Sequence, residues 1–483
     1  MSRRIVGPFN RVEGDLEVHL DIDGDRVNEA WVVSPLYRGF EQILNGKDPR
    51  DAMVYTPRIC GICSVSQSTA AAAALANAQG LAMPDNGRRA SNLILANENV
   101  ADHLTHFYLF FMPDFARDVY QGEPWFEDIA ERFKAMQGTA PREMLPARAE
   151  FMHLMGMLAG KWPHSLAIQP GGTTRGIEAR DTAKIRTLLF AFRRFLETTL
   201  FGDSLENIAT LDSVAALDRW RDAREPSSSD FSRFLNVADA LNLDKMGRAT
   251  DRFLSYGAYG SDGDHLFAPG IWHNGEQLPF DPDAVAEDLS HSWMAERDAS
   301  RHPYDGVTVP EADAEGGYTW CKAPRLEGQV VEVGALARQS VDGQPLIREL
   351  VAESGGNVRN RVIARLLEVA RVVLAMQDWA DALVPGESCC NHAPLPEEGR
   401  GFGVVEAARG SLGHWVRIEK GRIGNYQIVS PTTWNFSPRD ANEVPGALEQ
   451  ALVGAPVRDG EVDPVAVQHV VRSFDPCMVC TVH

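Results

Sequence analysis

Two Cys-x-x-Cys pairs lie at opposite ends of this chain of 483 residues: Cys60-Gly61-Ile62-Cys63 and Cys477-Met478-Val479-Cys480. Together they offer four thiolates, enough to complete a metal site for a soft or borderline cation. A structural zinc site uses the same donors. Zinc ribbons and knuckles close over short loops, however, and most of the chain separates these pairs. So wide a closure is costly unless the fold already holds both ends together. Two independent redox dithiols are a further reading, but no thioredoxin-like strand–helix–strand context surrounds either pair. Seven cysteines is an odd number and argues against a secreted disulfide framework. Cys321, Cys389 and Cys390 read as small buried hydrophobes.

Composition narrows the partners. Lysine and arginine total 47 against 67 acidic residues, a net charge of −20, which repels phosphate backbones and anionic membranes. Neither nucleic acid nor a lipid surface is an expected partner. Met1-Ser2-Arg3-Arg4 is basic, but Ile5-Val6-Gly7-Pro8 is too short for the apolar core of a signal peptide. No run of about 18 uncharged apolar residues crosses a bilayer. The cytoplasm is the expected compartment, although a subunit can be exported on a partner's signal.

The elements that must bring the ends together are mostly helical. Alternation over 14–34 predicts a β-hairpin turning at Gly24-Asp25, and a short helix begins at Glu41. Residues 68–78 are alanine-rich, a helix that lets neighbours approach closely. Apolar residues at spacings of three and four predict helices over 87–111, 142–159, 177–201 and 358–383. Residues 402–434 read as short strands. The stretch 257–317, rich in Gly, Pro, Asp and His, reads as a loop-rich elaboration whose His265, His273, His291 and His302 are ordinary surface residues. With no linker and no repeat, residues 1–483 are expected to form a single domain, mainly α with small β-sheets, its long central helices following an N-terminal hairpin.

The flanks of the cysteines carry a resemblance. Arg58-Ile59-Cys60-Gly61-Ile62-Cys63 and Asp475-Pro476-Cys477-Met478-Val479-Cys480-Thr481-Val482-His483 resemble the two cysteine motifs of nickel–iron hydrogenase large subunits. So do Arg11-Val12-Glu13-Gly14, Tyr37-Arg38-Gly39-Phe40-Glu41, Lys161-Trp162-Pro163-His164, the block from Tyr318 to Arg325, Glu332-Val333-Gly334, Ala408-Arg409-Gly410, and Pro431-Thr432-Thr433-Trp434-Asn435. These run in the family's order along the chain.

The resemblance implies that Cys60, Cys63, Cys477 and Cys480 bind nickel. Cys63 and Cys480 would bridge to an iron that carries one carbon monoxide and two cyanides. Arg409 would stand at the open face of the metals, its backbone and the Thr432 hydroxyl hydrogen-bonding the cyanides, with Asp114 and Asp475 holding it in place. Glu13 would take the first proton from a nickel thiolate. Glu41, the carbonyl of Ile428 and His483 would bind a magnesium-type ion. The plainer readings are a surface salt bridge for Arg409, a turn cap for Glu13 and an unbound surface carboxylate for Glu41. The chain holds no further cysteine array, so iron–sulfur clusters are expected only in a separate small subunit, with a second heterodimer also conceivable.

The chain departs from the family's usual pattern at several positions. Gln67 stands where most relatives have histidine, Ile62 and Phe110 are bulkier than the valine and leucine common at the inner end of the gas channel, and Ala408 replaces proline. Most relatives are made with a tail beyond the final histidine, so this sequence is expected to be either a mature form or one made without a tail. Gln67, Ile62, Phe110 and the ending resemble the regulatory, hydrogen-sensing branch, which implies an oxygen-tolerant sensor reporting to a histidine kinase. The alternatives are a metabolic uptake or bidirectional hydrogenase, a non-catalytic structural relative, and a zinc-stabilised scaffold.

Overall fold

The structure, a computed structural model, describes residues 2–261 and 264–481. As the periodicity predicts, helix dominates and the sheets are small and antiparallel. The N-terminal hairpin comprises Glu17–Asp23 and Arg26–Val33, with Val18, Leu20, Val27, Ala30 and Val32 buried. A third strand, Ser2–Val6, pairs with its open edge. Its Ser-Arg-Arg start hid it from the hydrophobic pattern.

The alanine-rich segment forms the helix Ser64–Gln79, beginning directly after Cys63. A three-stranded meander, Gly399–Ala407, Gly410–Glu419 and Arg422–Val429, packs on it. The contact is close because both sides lack bulk: a Cβ on Gly401 or Gly403 would overlap the carbonyl oxygens of Ala74 or Ala70. The helix Asp85–Thr105 widens into a π-helical turn at His106–Phe111, and Ala179–Phe195 does the same at Leu196–Phe201. The single helix expected over 142–159 is two, Ala140–Phe151 and His153–Ala159. The helix Val358–Asp381 is buried nearly all round and packs against Asp85–Thr105, Ala179–Phe195, Ala335–Asp342 and Val465–Ser473. Among the described residues no helix is long and apolar enough to cross a membrane.

The loop-rich reading of 257–317 is corrected over its first half; from 289 to 317 the chain is irregular apart from the short turn Pro303–Asp305. Arg252–Ser261, Asp264–His273 and Glu276–Leu278 form an antiparallel sheet, and Val285–Asp288 pairs with Ala323–Leu326. The strands escaped notice because Gly257, Gly260, Pro269 and Gly270 interrupt their alternation. Of the four histidines, His265 is exposed and His273, His291 and His302 are partly buried. His291 faces Glu443 at 3.1 Å, and His302 caps the turn at Tyr304.

Candidate metal centre

The two ends of the chain meet through their backbones. Glu13 and Cys477 form a parallel bridge, in which Met478 N–H donates to Glu13 O at 2.7 Å and Glu13 N–H to Pro476 O at 3.4 Å. Gly14 has φ 79°, and a Cβ there would stand 2.9 Å from Val479 N. A side chain would therefore be strained and would push the second cysteine motif away. Ser34 and Thr481 share a hydroxyl hydrogen bond of 3.0 Å. On the other side, Arg38 donates to the carbonyls of Arg58 and Ile59, fixing the approach to Cys60.

This juxtaposition brings the sulfurs of Cys60, Cys63, Cys477 and Cys480 within 4.8 Å of one another, all buried. The Cys63–Cys480 and Cys60–Cys477 pairs are 3.4 Å apart and Cys477–Cys480 3.0 Å. Hydrogen bonds from the other three hold the Cys60 thiol well below its usual range, while shared hydrogen bonds with Cys477 and Cys480 push Cys63 up and burial pushes Cys477 up. Four buried sulfurs with mutual contact fit a cation that takes several thiolates at once, since such a cation supplies the charge needed to deprotonate them all.

The first pair is anchored by a residue the sequence did not single out. Glu98, buried on Asp85–Thr105, accepts the free N–H groups of Val65 (2.8 Å) and Ser66 (2.9 Å) at the start of the Ser64–Gln79 helix, together with Ser66 Oγ and Trp162 Nε1. It does the work of an N-terminal cap from a neighbouring helix. Burial pushes its carboxyl up to about 7, against these donors.

Arg409 is buried, not a surface ion-pair partner. Its Nη1 and Nη2 donate to the two carboxylate oxygens of Asp102, at 2.6 and 3.2 Å. Nη2 also reaches Asp475 Oδ1 at 3.3 Å, and Nε donates to the Asp475 carbonyl at 3.1 Å. Burial pushes the Asp102 carboxyl up against the pull of Arg409; despite its own burial, Asp475 is held below its usual range by the same guanidinium. Asp475 is left-handed (φ 56°) and turns the chain from the Val465–Ser473 helix into Pro476-Cys477. The expectation that Asp114 holds Arg409 is corrected. Asp114 lies beyond the π-helical turn, in the short 3₁₀ segment Met112–Ala116, and pairs there with Arg11 and with Arg472 at 2.6 Å. Asp102, unrecognised in the sequence, holds the arginine together with Asp475.

The other expected site residues fall as follows. Thr432 is buried, and its Oγ1 accepts Cys477 N–H at 3.1 Å, leaving its own proton to donate. Glu13 is half-buried; burial and then Cys60 raise its carboxyl, and Arg409 and Arg38 oppose them. Gln67 lies one turn into the helix after Cys63. Its Oε1 is 2.8 Å from His414 Nε2, His414 Nδ1 is 2.8 Å from the Tyr426 hydroxyl, and Gln67 Nε2 is buried without a partner. Ile62 is partly buried against the main core, and the Phe110 carbonyl accepts from Arg11 at 3.0 Å.

Glu41 is fully buried. Its Oε1 accepts Ile428 N–H at 2.9 Å, and its Oε2 accepts Lys322 Nζ at 2.8 Å and the Thr308 hydroxyl. The Lys322 ammonium also reaches Gln427 Oε1 (2.8 Å), Thr308 Oγ1 (3.1 Å) and Glu287 Oε2 (3.4 Å). This oxygen-rich cage has the donors a hard cation takes, with Lys322 already supplying charge at its centre. Lys322, Glu287, Thr308 and Gln427 were not anticipated. His483 lies outside the described residues.

Comparison with known proteins agrees with this geometry. The family model for nickel-dependent hydrogenase matches residues 38–123 and 142–483. The periplasmic [NiFeSe] hydrogenase large subunit of Desulfomicrobium baculatum is 30% identical, over 99% of this chain and 94% of that protein. The hydrogenase-2 large chain of Escherichia coli (strain K12) is 29% identical, over 100% and 97%. Among solved structures, the oxidised Ni-Fe-Se hydrogenase from D. vulgaris Hildenborough superposes with a TM-score of 0.85 at 29% identity, each chain covered completely. The chain therefore belongs to the nickel-dependent hydrogenase family, as one of its large subunits.

Proposed function

We propose that this chain cleaves H₂ heterolytically at a nickel–iron centre, to two protons and two electrons, and does so as an oxygen-tolerant hydrogen sensor. The observation that carries the reading is the set of four buried sulfurs beside a guanidinium held by two carboxylates. Cys60, Cys63, Cys477 and Cys480 would hold nickel, with Cys63 and Cys480 shared with an iron that carries one carbon monoxide and two cyanides. When bound, the pair supplies the Lewis acidity and the electron sink for splitting H₂.

The protein's own groups do the rest. Arg409 cannot lose its charge, and its two carboxylates keep it from swinging. Its backbone N–H and the Thr432 hydroxyl, which already accepts from Cys477 N–H, would hydrogen-bond the cyanides. Glu13 takes the first proton from a cysteine sulfur; a carboxyl raised by burial suits a proton relay. Glu41, the Ile428 carbonyl and His483 would bind a magnesium-type ion that fixes the C-terminal motif. Electrons leave to an iron–sulfur small subunit.

The sensing role rests on Gln67, which cannot titrate, and on the bulk of Ile62 and Phe110. Added carbons in a packed passage favour hydrogen over the larger oxygen. A histidine kinase would read the output in the cytoplasm. Two further relatives, each 28% identical and named uptake hydrogenase large subunit, from Rhodobacter capsulatus and Cupriavidus necator, favour a second reading, metabolic H₂ oxidation.

Infrared spectroscopy of the air-exposed heterodimer, before and after H₂, separates these readings. Carbon monoxide and cyanide bands that shift at once support an oxygen-tolerant sensor. Bands that shift only after slow reduction leave the metabolic enzyme. A metal-replete sample without such bands overturns the centre itself.

A further inference from the structure

Arg409 sits at the tip of a β-hairpin that is atypical for its length. The strands Gly399–Ala407 and Gly410–Glu419 are joined by only Ala408 and Arg409, with Ala407 paired to Gly410. Two-residue hairpins favour turns with positive φ at the central residues, because that twist matches the strands. Neither Ala408 nor Arg409 has positive φ; it falls instead on Gly410, at 128°. Such a turn lacks the twist that matches its strands, which nevertheless pair without a shift up to Ala407 and Gly410, so contacts from outside help hold the tip.

Arg338, on the helix Ala335–Asp342, reaches the tip. Its Nη1 donates to the Ala407 carbonyl at 2.8 Å and its Nη2 to the Ala408 carbonyl at 3.0 Å. The remaining N–H groups go to Glu368, at 3.0 and 2.8 Å, and to Glu406, at 2.7 Å. His103 Nε2 backs Glu368 at 3.1 Å. Every donor of the guanidinium is thus used. Arg338, Glu368 and Glu406 are each about 1% exposed. The hairpin also rests on the start of the Arg338 helix, where a Cβ on Gly410 would stand 2.6 Å from Gly334 N. A plain core ion pair would need only the two carboxylates. Here two of the donors are spent on the peptides that lead into Arg409.

We propose that Arg338 is a positioning residue for Arg409: by clamping the Ala407 and Ala408 carbonyls, it sets where the guanidinium and main-chain N–H of Arg409 stand beside the four cysteine sulfurs. This rests on the role given to Arg409 above.

The test uses the heterodimer with its metals loaded. Arg338→Lys keeps the charge and loses the fork. It is expected to lower kcat for H₂ oxidation on the order of tenfold, KM being unchanged, as a small misplacement of a reacting geometry does. Nickel and iron content should stay as in the wild type while the cyanide stretching bands move. Proline suits the first central position of such a turn and fixes φ itself. Ala408→Pro in the Arg338→Lys background should therefore return the bands and most of the turnover.

Wild-type bands and turnover in Arg338→Lys would overturn the proposal, as would a double variant as displaced as the single one. If Arg338→Lys comes out without metals, Glu406→Gln decides: a smaller shift of the same cyanide bands supports the clamp, and unshifted bands overturn it. Arg409→Lys is the control. Full turnover there removes the role of Arg409 itself; lost turnover there, with Arg338→Lys unaffected, removes only the clamp.

Discussion

A charge buried among other charges behaves as a fixture, and Arg409 is the case that matters most. Replacing Asp102 by Asn removes one of the two carboxylates on the guanidinium, and losing a partner from a buried pair costs about 3–5 kcal/mol. We expect Asp102→Asn to lower the melting temperature and the metal content, whereas Asp114→Asn should leave the Arg409 contacts intact and the cyanide bands unmoved. Glu13→Gln should keep nickel and iron but stop proton exchange measured with deuterium; normal exchange would remove Glu13 from the relay.

Glu449 gives a pH prediction away from the metals. Burial pushes its carboxyl up to about 7, against donors from Val32, Tyr318 and Gly446. Its folded pKa lies above its unfolded value of 4.5, so between those values the folded state keeps a proton that the unfolded state has lost. Stability then falls as pH rises through that window and is flat above it, by at most about 3 kcal/mol. Glu449→Gln should make the slope in melting temperature between pH 5 and 8 shallower by one group's share, since Glu98, which burial also pushes up to about 7, keeps its own. Parallel curves would mean that the three donors keep Glu449 ionised throughout. At this scale the cysteines were legible, because four thiols in paired spacing have few other uses. Asp102, Glu98 and Arg338 were not. Each lies within a helix, where a charge reads as a solvated face, and only tertiary packing reveals that the face is turned inward.

Among the elements, the helix Val358–Asp381 spaces the site. Arg361, Arg365 and Glu368 project from it about one turn apart. Arg361 grips Glu332 at 2.7 and 2.8 Å, Arg365 donates to the Ser473 carbonyl at 2.6 Å, and Glu368 holds Arg338. One rigid helix thus sets both the segment leading to Cys477 and the hairpin carrying Arg409. The second device is the glycine strand on the alanine helix. Gly403→Ala should force the meander away from Ala70 and cost about 1–3 kcal/mol or more, read as a lower melting temperature. If Gly403→Ala melts like the wild type, the strand has room that the packing denies. The long amphipathic helices were readable from their stripes. The sheet from Arg252 to Leu278 was not, because glycine and proline break the period that reveals a strand; a Cβ on Gly270 would stand 2.9 Å from the Leu278 carbonyl oxygen, and one on Gly260 2.8 Å from the His265 ring.

Over the whole molecule, the metal centre doubles as a fastener. The C-terminal motif is held by the Glu13–Cys477 bridge, by the Ser34–Thr481 hydroxyls and by whatever the sulfurs bind. In protein produced without nickel, backbone amides of 475–481 should exchange with deuterium faster than in loaded protein, while those of 358–381 stay protected. Equal exchange would mean that the protein contacts alone order the motif.

Cys63 and Cys480 are 417 positions apart in the chain. A ribosome adding about 5–20 residues per second delivers the second sulfur pair on the order of 20–80 s after the first. Throughout that interval Glu13 and Gly14 lack the Cys477–Val479 backbone that lies against them in the finished chain. A site of four sulfurs therefore exists only after the second pair has been made, and any factor that delivers metals to all four acts after that point.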